Sequence, residues 1–301
     1  MTVVGFDIGG TKIETQIFDD RWAEVARQRC ETPTTYPALV ATIADQIRWA
    51  EGQVGSLKSV GVGTAGLINP ATGLALTANL PATGHPFPTD IAKAISRPIT
   101  FVNDCRALAL SEAVFGAGQG HKTVMGLIIG TGIGGGIVVD GDLHPGPTAI
   151  GGEFGHMAAP AHIISAHNLP IVQCGCGRMG CFETFLAGPG LERLALHFTG
   201  QTLSAPEISA RRATDMAQVW SVWCAIAAEL LHTLTAVSDP DVIVLGGGVS
   251  AVPGILDDLS TAAAQAQIPG FGPAKLALAE GGDASGARGA AYAAWKALQH
   301  D

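Results

Sequence analysis

Charge is scarce in this chain. Asp, Glu, Lys and Arg together make up 14% of the residues, and 17 basic residues face 26 acidic ones. No dense run of Lys and Arg occurs, and a net charge of -9 has the wrong sign for a phosphate backbone, which disfavours a nucleic-acid partner. Aromatic residues are few, at 6%, but hydrophobic residues reach 47%, a composition that fills cores and excludes the disordered class. No apolar run reads as long enough for a membrane span, and Asp7 interrupts the apolar start too early for a secretory leader. The expectation is a cytoplasmic protein with no membrane partner, whose six cysteines stay reduced. Cys30, Cys105 and Cys224 lie in apolar or helical surroundings and read as packing residues.

Glycine, by contrast, is abundant, with 40 residues gathered in turns rather than in a repeat. The 301 residues suffice for two domains, each with its own core. Val3 to Ile8 is a short apolar run that ends in Gly9-Gly10, and the alternation from Lys12 to Phe18 predicts a returning strand. The scheme recurs about 120 residues later: Val124 to Ile129, then Gly130-Thr131-Gly132, then Gly134 to Asp140. Two such hairpins suggest a duplicated architecture. Ser59 to Val62, Ile99 to Val102 and Val242 to Leu245 read as buried strands. Tyr36 to Gly52, Cys105 to Gly116, Met216 to Val237 and Gly286 to Leu298 read as helices. Strands alternating with helices place the chain in the α/β class. The expected division is a first lobe over residues 1–117 and a larger one over 118–285, with a closing helix over 286–301 returning to the first lobe.

Three glycine clusters follow apolar strands. In Asp7-Ile8-Gly9-Gly10-Thr11-Lys12, bare backbone N–H groups would cradle phosphate oxygens, Asp7 would hold magnesium through water, and Thr11 and Lys12 would touch phosphate. A plain hairpin turn would account for this motif equally well. Gly130, Thr131, Gly132 and Gly134 head a run with five glycines in seven positions, costly in a strand unless something must come close, and a second phosphate clamp from the opposite lobe is the natural proposal. Gly246-Gly247-Gly248 closes a buried strand, where α/β folds gather ligands, here a nucleotide base and ribose. Asn103-Asp104 also stands at a strand end. Its carboxylate suits a general base for a substrate hydroxyl, with Asn103 fixing its orientation, although Asp104 as a helix cap is the simpler reading. Glu153 and His156 sit three apart. His156 is followed 18 positions on by Cys174, with Cys176 and Cys181 close behind, so three thiolates and one imidazole supply the four ligands of a closed structural zinc site. Glu183 stands two residues past the last cysteine, placed for zinc to position it toward substrate.

In this order, the glycine-rich start, GTGIGGG, GEFGH, CGCGRMGCFE and GGG segments resemble the ROK family of sugar kinases and related repressors over nearly the whole chain. The resemblance implies an α/β, two-lobed actin-like ATPase (ribonuclease-H-like) fold with ATP and sugar in a cleft between lobes. It implies ATP with Mg2+ and a structural Zn2+ as cofactors, and a homodimer. Asp104 matches the family's catalytic base. Asn103, Glu153, His156 and Glu183 match its sugar-binding residues, and His156, Cys174, Cys176 and Cys181 its zinc set. One imidazole can serve both tasks through its two nitrogens, and His162 and His167 are rival ligands. Among the branches, Asn79 to Pro86 and Gly152 to Met157 are most similar to the bacterial N-acetylglucosamine kinases. That likeness implies ATP-dependent phosphorylation of N-acetyl-D-glucosamine at the 6-hydroxyl, with Asn79 at the sugar. Glucokinase and fructokinase are the alternatives. Glucose and fructose relatives often carry Trp near Ala82 and Thr83, so the small residues here suggest room for an acetamido group. Ala65 replaces a frequent Pro, and Cys105-Arg106 a frequent Ala-Asn, which sets a long cation next to the presumed base. The family's repressors carry a DNA-binding helix-turn-helix ahead of the sugar domain, whereas the first strand here begins at residue 2. A nucleotide-binding scaffold without a sugar is disfavoured by the Asn103, Asp104, Glu153, His156 and Glu183 set.

Overall fold

A computed structural model describes residues 2–77, 79–144, 146–282 and 285–300. Two compact units emerge: Met1–Gly116 with Gly141–Gly151 and Gly281–Asp301, and Ala117–Asp140 with Gly152–Glu280. Gly141–Gly151, which the expected division assigns to the second lobe, thus belongs with the first.

The first unit contains β1 (Val3–Ile8), β2 (Lys12–Phe18), β3 (Glu24–Glu31), α1 (Tyr36–Val54), β4 (Ser59–Thr64), β5 (Leu67–Ile68), β6 (Ala75–Leu76), α2 (Phe87–Ile95), β7 (Thr100–Asn103), α3 (Asp104–Phe115), β10 (Asp142–Leu143) and α10 (Ser285–His300). Its sheet runs β3-β2-β1-β4-β7. The first three strands are antiparallel neighbours, and β4 and β7 add on in parallel. Glu14 is buried on β2 directly opposite Arg29 of β3, and both Arg29 and Arg27 pair with it. A carboxylate is tolerated there because its charge is matched on the edge strand. Phe6, Ile8, Ile13, Ile43, Ile47 and Phe87 fill the core of this unit.

α10 lies on β1, β4 and α3. The approach is so close that a Cβ on Gly61 would stand 1.9 Å from the Ala290 carbonyl oxygen. Glu112, fully buried on α3, secures the start of this helix by accepting from the Gly281 N–H and the Ser285 hydroxyl. Gly61→Ala is therefore expected to destabilise by at least the ~1–3 kcal/mol of core overpacking, because the obstacle is backbone rather than a side chain that can turn away. Urea unfolding would show this as a lower midpoint at constant slope, and an unchanged midpoint would contradict the contact.

The second unit contains β8 (Thr123–Ile129), β9 (Ile133–Val139), β11 (Val242–Gly246) and β12 (Lys275–Leu278). Its helices are α4 (Ala161–Ala166), α5 (Glu183–Leu186), α6 (Gly188–Thr199), α7 (Ala205–Ala210), α8 (Ala217–Ser238) and α9 (Ile255–Ala266), and 3-10 turns span Phe154–His156 and Val249–Ala251. Strands β9, β8, β11 and β12 lie side by side in that order, the first pair antiparallel and the rest parallel. A hairpin that opens on a glycine turn and is joined by a parallel strand thus occurs in both units. α8 corrects one expectation: it is 22 residues long and includes an 18-residue stretch of mean hydropathy 1.3, enough by length and composition to cross a membrane. Half of that stretch is buried here, with Trp223 fully enclosed, so it serves as a core helix.

Candidate functional site

In the first unit the Gly9–Lys12 turn is closed by the Gly9 N–H donating to the Lys12 carbonyl at 3.0 Å. Thr32, which the sequence did not single out, braces it from just past the end of β3: its hydroxyl donates to the Gly9 carbonyl at 2.7 Å and its N–H to that of Thr11 at 3.1 Å. Asn79 is brought against the same turn, where a Cβ on Gly10 would lie 2.7 Å from the Asn79 Cβ. Gly286, at the start of α10, abuts the Asp7 carboxylate, since a Cβ there would meet its Oδ2 at 2.6 Å.

The segment carrying Asn79 is stapled by two threonines. The Thr77 N–H donates to the Thr83 hydroxyl at 3.0 Å, and that hydroxyl donates back to the Thr77 carbonyl at 2.8 Å. Ala82 is fully buried in the core of the unit. Ala82 thus packs the core and Thr83 ties the loop.

At the end of β7, Asn103 rather than Asp104 caps the helix. Its Oδ1 accepts from the Arg106 N–H at 3.2 Å, and its Nδ2 donates to the Gly66 carbonyl at 3.1 Å. Asp104 is the first residue of α3, and its Oδ1 accepts from the Cys105 N–H at 2.9 Å. Burial pushes the Asp104 carboxyl above the usual carboxylate range, partly opposed by that hydrogen bond. A carboxyl tuned upward in this way suits a general base better than a cap. The long cation beside it is engaged in structure: Arg106 donates to the carbonyls of His144 at 2.8 Å and Ala149 at 3.4 Å, which holds the Gly141–Gly151 segment in the first unit.

In the second unit the Gly130–Ile133 turn and the Gly246–Gly248 cluster are neighbours, a Cβ on Gly130 falling 3.9 Å from the Gly248 nitrogen. One glycine beyond the turn, Gly135, has a packing reason. A Cβ on Gly135 would strike the Phe154 ring at 2.7 Å, so what must come close to β9 is the Gly152–His156 segment. That contact seats the 3-10 turn carrying Glu153 and His156. Glu183, opening α5, accepts from the Ile133 N–H through Oε2 at 2.9 Å, while its Oε1 lies 3.3 Å from the Cys174 sulfur. Neither contact was visible in the sequence.

His156, Cys174, Cys176 and Cys181 converge, with one ligand atom from each lying within 4.8 Å of the others. His156 Nδ1 is 3.5 Å from the Cys174 sulfur, and the sulfurs of Cys176 and Cys181 are 3.7 Å apart. Tetrahedral zinc with its ordinary bond lengths requires edges of about 3.6 Å for a nitrogen–sulfur pair and about 3.8 Å for two sulfurs. The residues fit the metal. Burial, with the Glu183 carboxylate nearby, pushes the Cys174 thiol up to about 12, so metal binding must expel its proton. His156 Nε2 is left facing Glu153, 3.5 Å from Oε2. His162 and His167 do not join the cluster: the first lies 3.6 Å from Glu229, and the second meets the Phe198 ring.

The ROK family model matches residues 3–297, and the chain belongs to the ROK family. It is 41% identical over 292 residues to a Shewanella sp. (strain ANA-3) protein named N-acetylgalactosamine kinase AgaK, covering 95% of this chain and 94% of that one. It is 38% identical over 300 residues to an N-acetyl-D-glucosamine kinase of Photobacterium profundum, covering 96% and 97%. Among solved structures, a ROK hexokinase from Thermus thermophilus superposes with a TM-score of 0.89 at 31% identity, covering all of both chains. The fold is that of the ROK sugar kinases, the two-lobed actin-like ATPase class.

Proposed function

We propose that this protein is an ATP-dependent kinase that phosphorylates the 6-hydroxyl of a 2-acetamido hexose, N-acetylglucosamine or its 4-epimer. The observation that carries the reading is Asp104: a half-buried carboxyl just past the end of β7, held by its neighbour's N–H and shifted upward in pKa by desolvation. Asp104 orients the sugar hydroxyl and takes its proton as the oxygen attacks the γ-phosphorus and the bond to the β–γ bridging oxygen breaks to release ADP, a reaction that needs positioning and charge stabilisation more than covalent chemistry. Asn103 fixes the Asp104 end of the helix. Asn79, Glu153, His156 and Glu183 bind sugar hydroxyls. Lys12, Thr11 and the N–H groups of the glycine turns meet the phosphates, and Asp7 would hold the magnesium ion, which would neutralise phosphate charge. Zinc, when bound by His156, Cys174, Cys176 and Cys181, supplies a structural cross-link that fixes the imidazole through Nδ1. The protein works as a cytoplasmic homodimer.

The acetamido part of the reading rests on the two curated relatives, both named as N-acetylhexosamine kinases. Steady-state kinetics on N-acetylglucosamine, N-acetylgalactosamine and glucose test it. An acetamido sugar is expected to exceed glucose in kcat/KM by about 10–200-fold, the scale of one additional small group in a fitted pocket. Glucose matching or surpassing both amides would refute the substrate class and leave the kinase reading standing.

A further inference from the structure

We propose that the thiol–imidazole cluster sets the shape of the Gly130–Ile133 turn through Glu183, so that nucleotide affinity depends on the cluster being closed by metal. This rests on the reading of that turn as a phosphate-binding loop. Both ends of the turn are tied to one short stretch that begins two residues after a cluster cysteine. The Ile133 N–H donates to Glu183 Oε2 at 2.9 Å, and the Gly188 N–H donates to the Gly130 carbonyl at 2.8 Å. Gly132 is pressed against the same carboxylate, and a Cβ there would lie 2.9 Å from Oε2. Within the turn, the Gly130 N–H donates to the Gly132 carbonyl at 3.0 Å. The N–H groups of Gly130 and Ile133 are therefore spent on shaping the turn, which leaves those of Thr131 and Gly132, with the Thr131 hydroxyl, to meet phosphate.

The stretch is itself anchored at the cluster. The Thr184 N–H and hydroxyl both donate to the Cys181 carbonyl, at 3.0 and 2.7 Å, and the Phe182 N–H donates to the Met157 carbonyl at 2.9 Å. Glu183 Oε1 sits 3.3 Å from Cys174 and 4.0 Å from His156 Nδ1. A carboxylate with one oxygen against two metal ligands and the other on the turn is held by whichever arrangement those ligands adopt. Without metal, Cys174 and His156 lose their common partner, and Glu183 Oε1 is flanked only by a Cys174 thiol that can turn, so the acceptor of the Ile133 N–H is less constrained. Glu183 is thus a positioning residue for the nucleotide loop in addition to a sugar contact.

The test is calorimetric titration of the full chain with Mg·ADP and with the non-hydrolysable analogue AMPPNP, without sugar. The samples are the zinc-loaded protein, chelator-treated protein, Cys176→Ser, Glu183→Ala and Glu183→Gln. Metal removal, Cys176→Ser and Glu183→Ala should each weaken nucleotide binding by about 10-fold or more, the scale seen when outer partners of a metal site are lost. Glu183→Ala should still hold zinc. Glu183→Gln should stay near wild type, because its amide oxygen still accepts from Ile133. Hydrogen exchange at the Ile133 amide reads the link without nucleotide and should quicken in chelator-treated protein, Cys176→Ser and Glu183→Ala alone. Unchanged nucleotide affinity and exchange in metal-free and Glu183→Ala protein would overturn the proposal. Loaded protein that binds no nucleotide would instead refute the reading of the loop, with exchange still deciding whether the cluster shapes the turn.

Discussion

Asp104→Asn is expected to lower kcat by about 10²–10⁴-fold while sugar and nucleotide affinity change little. The substitution is nearly isosteric, and the new amide oxygen still accepts from the Cys105 N–H, so the first turn of α3 and its Asn103 cap persist. What is lost is an oxygen able to take a proton. The pH profile adds an independent check. Because burial raises the Asp104 pKa, the base becomes protonated, and the rate falls, at a pH above the usual carboxylate value as acid is added. The acid limb of kcat/KM should therefore lie higher than for a solvated Asp. Near-native kcat in Asp104→Asn, or an acid limb at the ordinary carboxylate position, would remove Asp104 from the role of base.

The second large effect is expected at the metal cluster. Elemental analysis of purified protein should find one zinc per chain, and Cys176→Ser should reduce it to a small fraction. Structural zinc sites are worth ~10–16 kcal/mol in small domains, so losing one of four ligands costs on the order of 3 kcal/mol and more than a hundredfold in affinity. Cys176 is the exposed member, whereas Cys174 and Cys181 are buried, so the fold around it should survive and the loss can be read as a metal effect. Circular dichroism of the variant would confirm this. Zinc content unaltered in Cys176→Ser would reject the ligand set.

Some of this molecule could be read without coordinates. β1, β4 and β11 are short runs rich in Val, Ile and Gly, buried along nearly their whole length, and the four metal ligands stand out because few other reasons gather such residues. β3 was not legible: an edge strand can carry Glu24, Arg27, Arg29 and Glu31, so it has no apolar signature, and its pairing with β2 is a long-range fact. The glycines of β9 were credited to phosphate, yet Gly135 makes way for the Phe154 ring, a packing demand that composition cannot separate from ligand approach. Asn103 and Asp104 exchanged one role, because either side chain can cap a helix and only backbone geometry says which one does. The double attachment of Glu183 joins residues 50 apart, and Ala82 disappeared into the core because nothing local distinguishes a buried alanine from one that lines a pocket.

The seating of α10 on β1 and β4 also bears on how the chain is made. The helix that covers these strands lies about 220 residues after the end of β4, roughly 10–45 s of synthesis at ribosomal rates. For that interval the glycine-lined face awaiting Ala290 and its neighbours has no cover of its own, and the first unit cannot reach its final state. The second unit, whose segments are complete by Glu280, has the chance to fold earlier. The unit that begins the chain is thus the last to be completed.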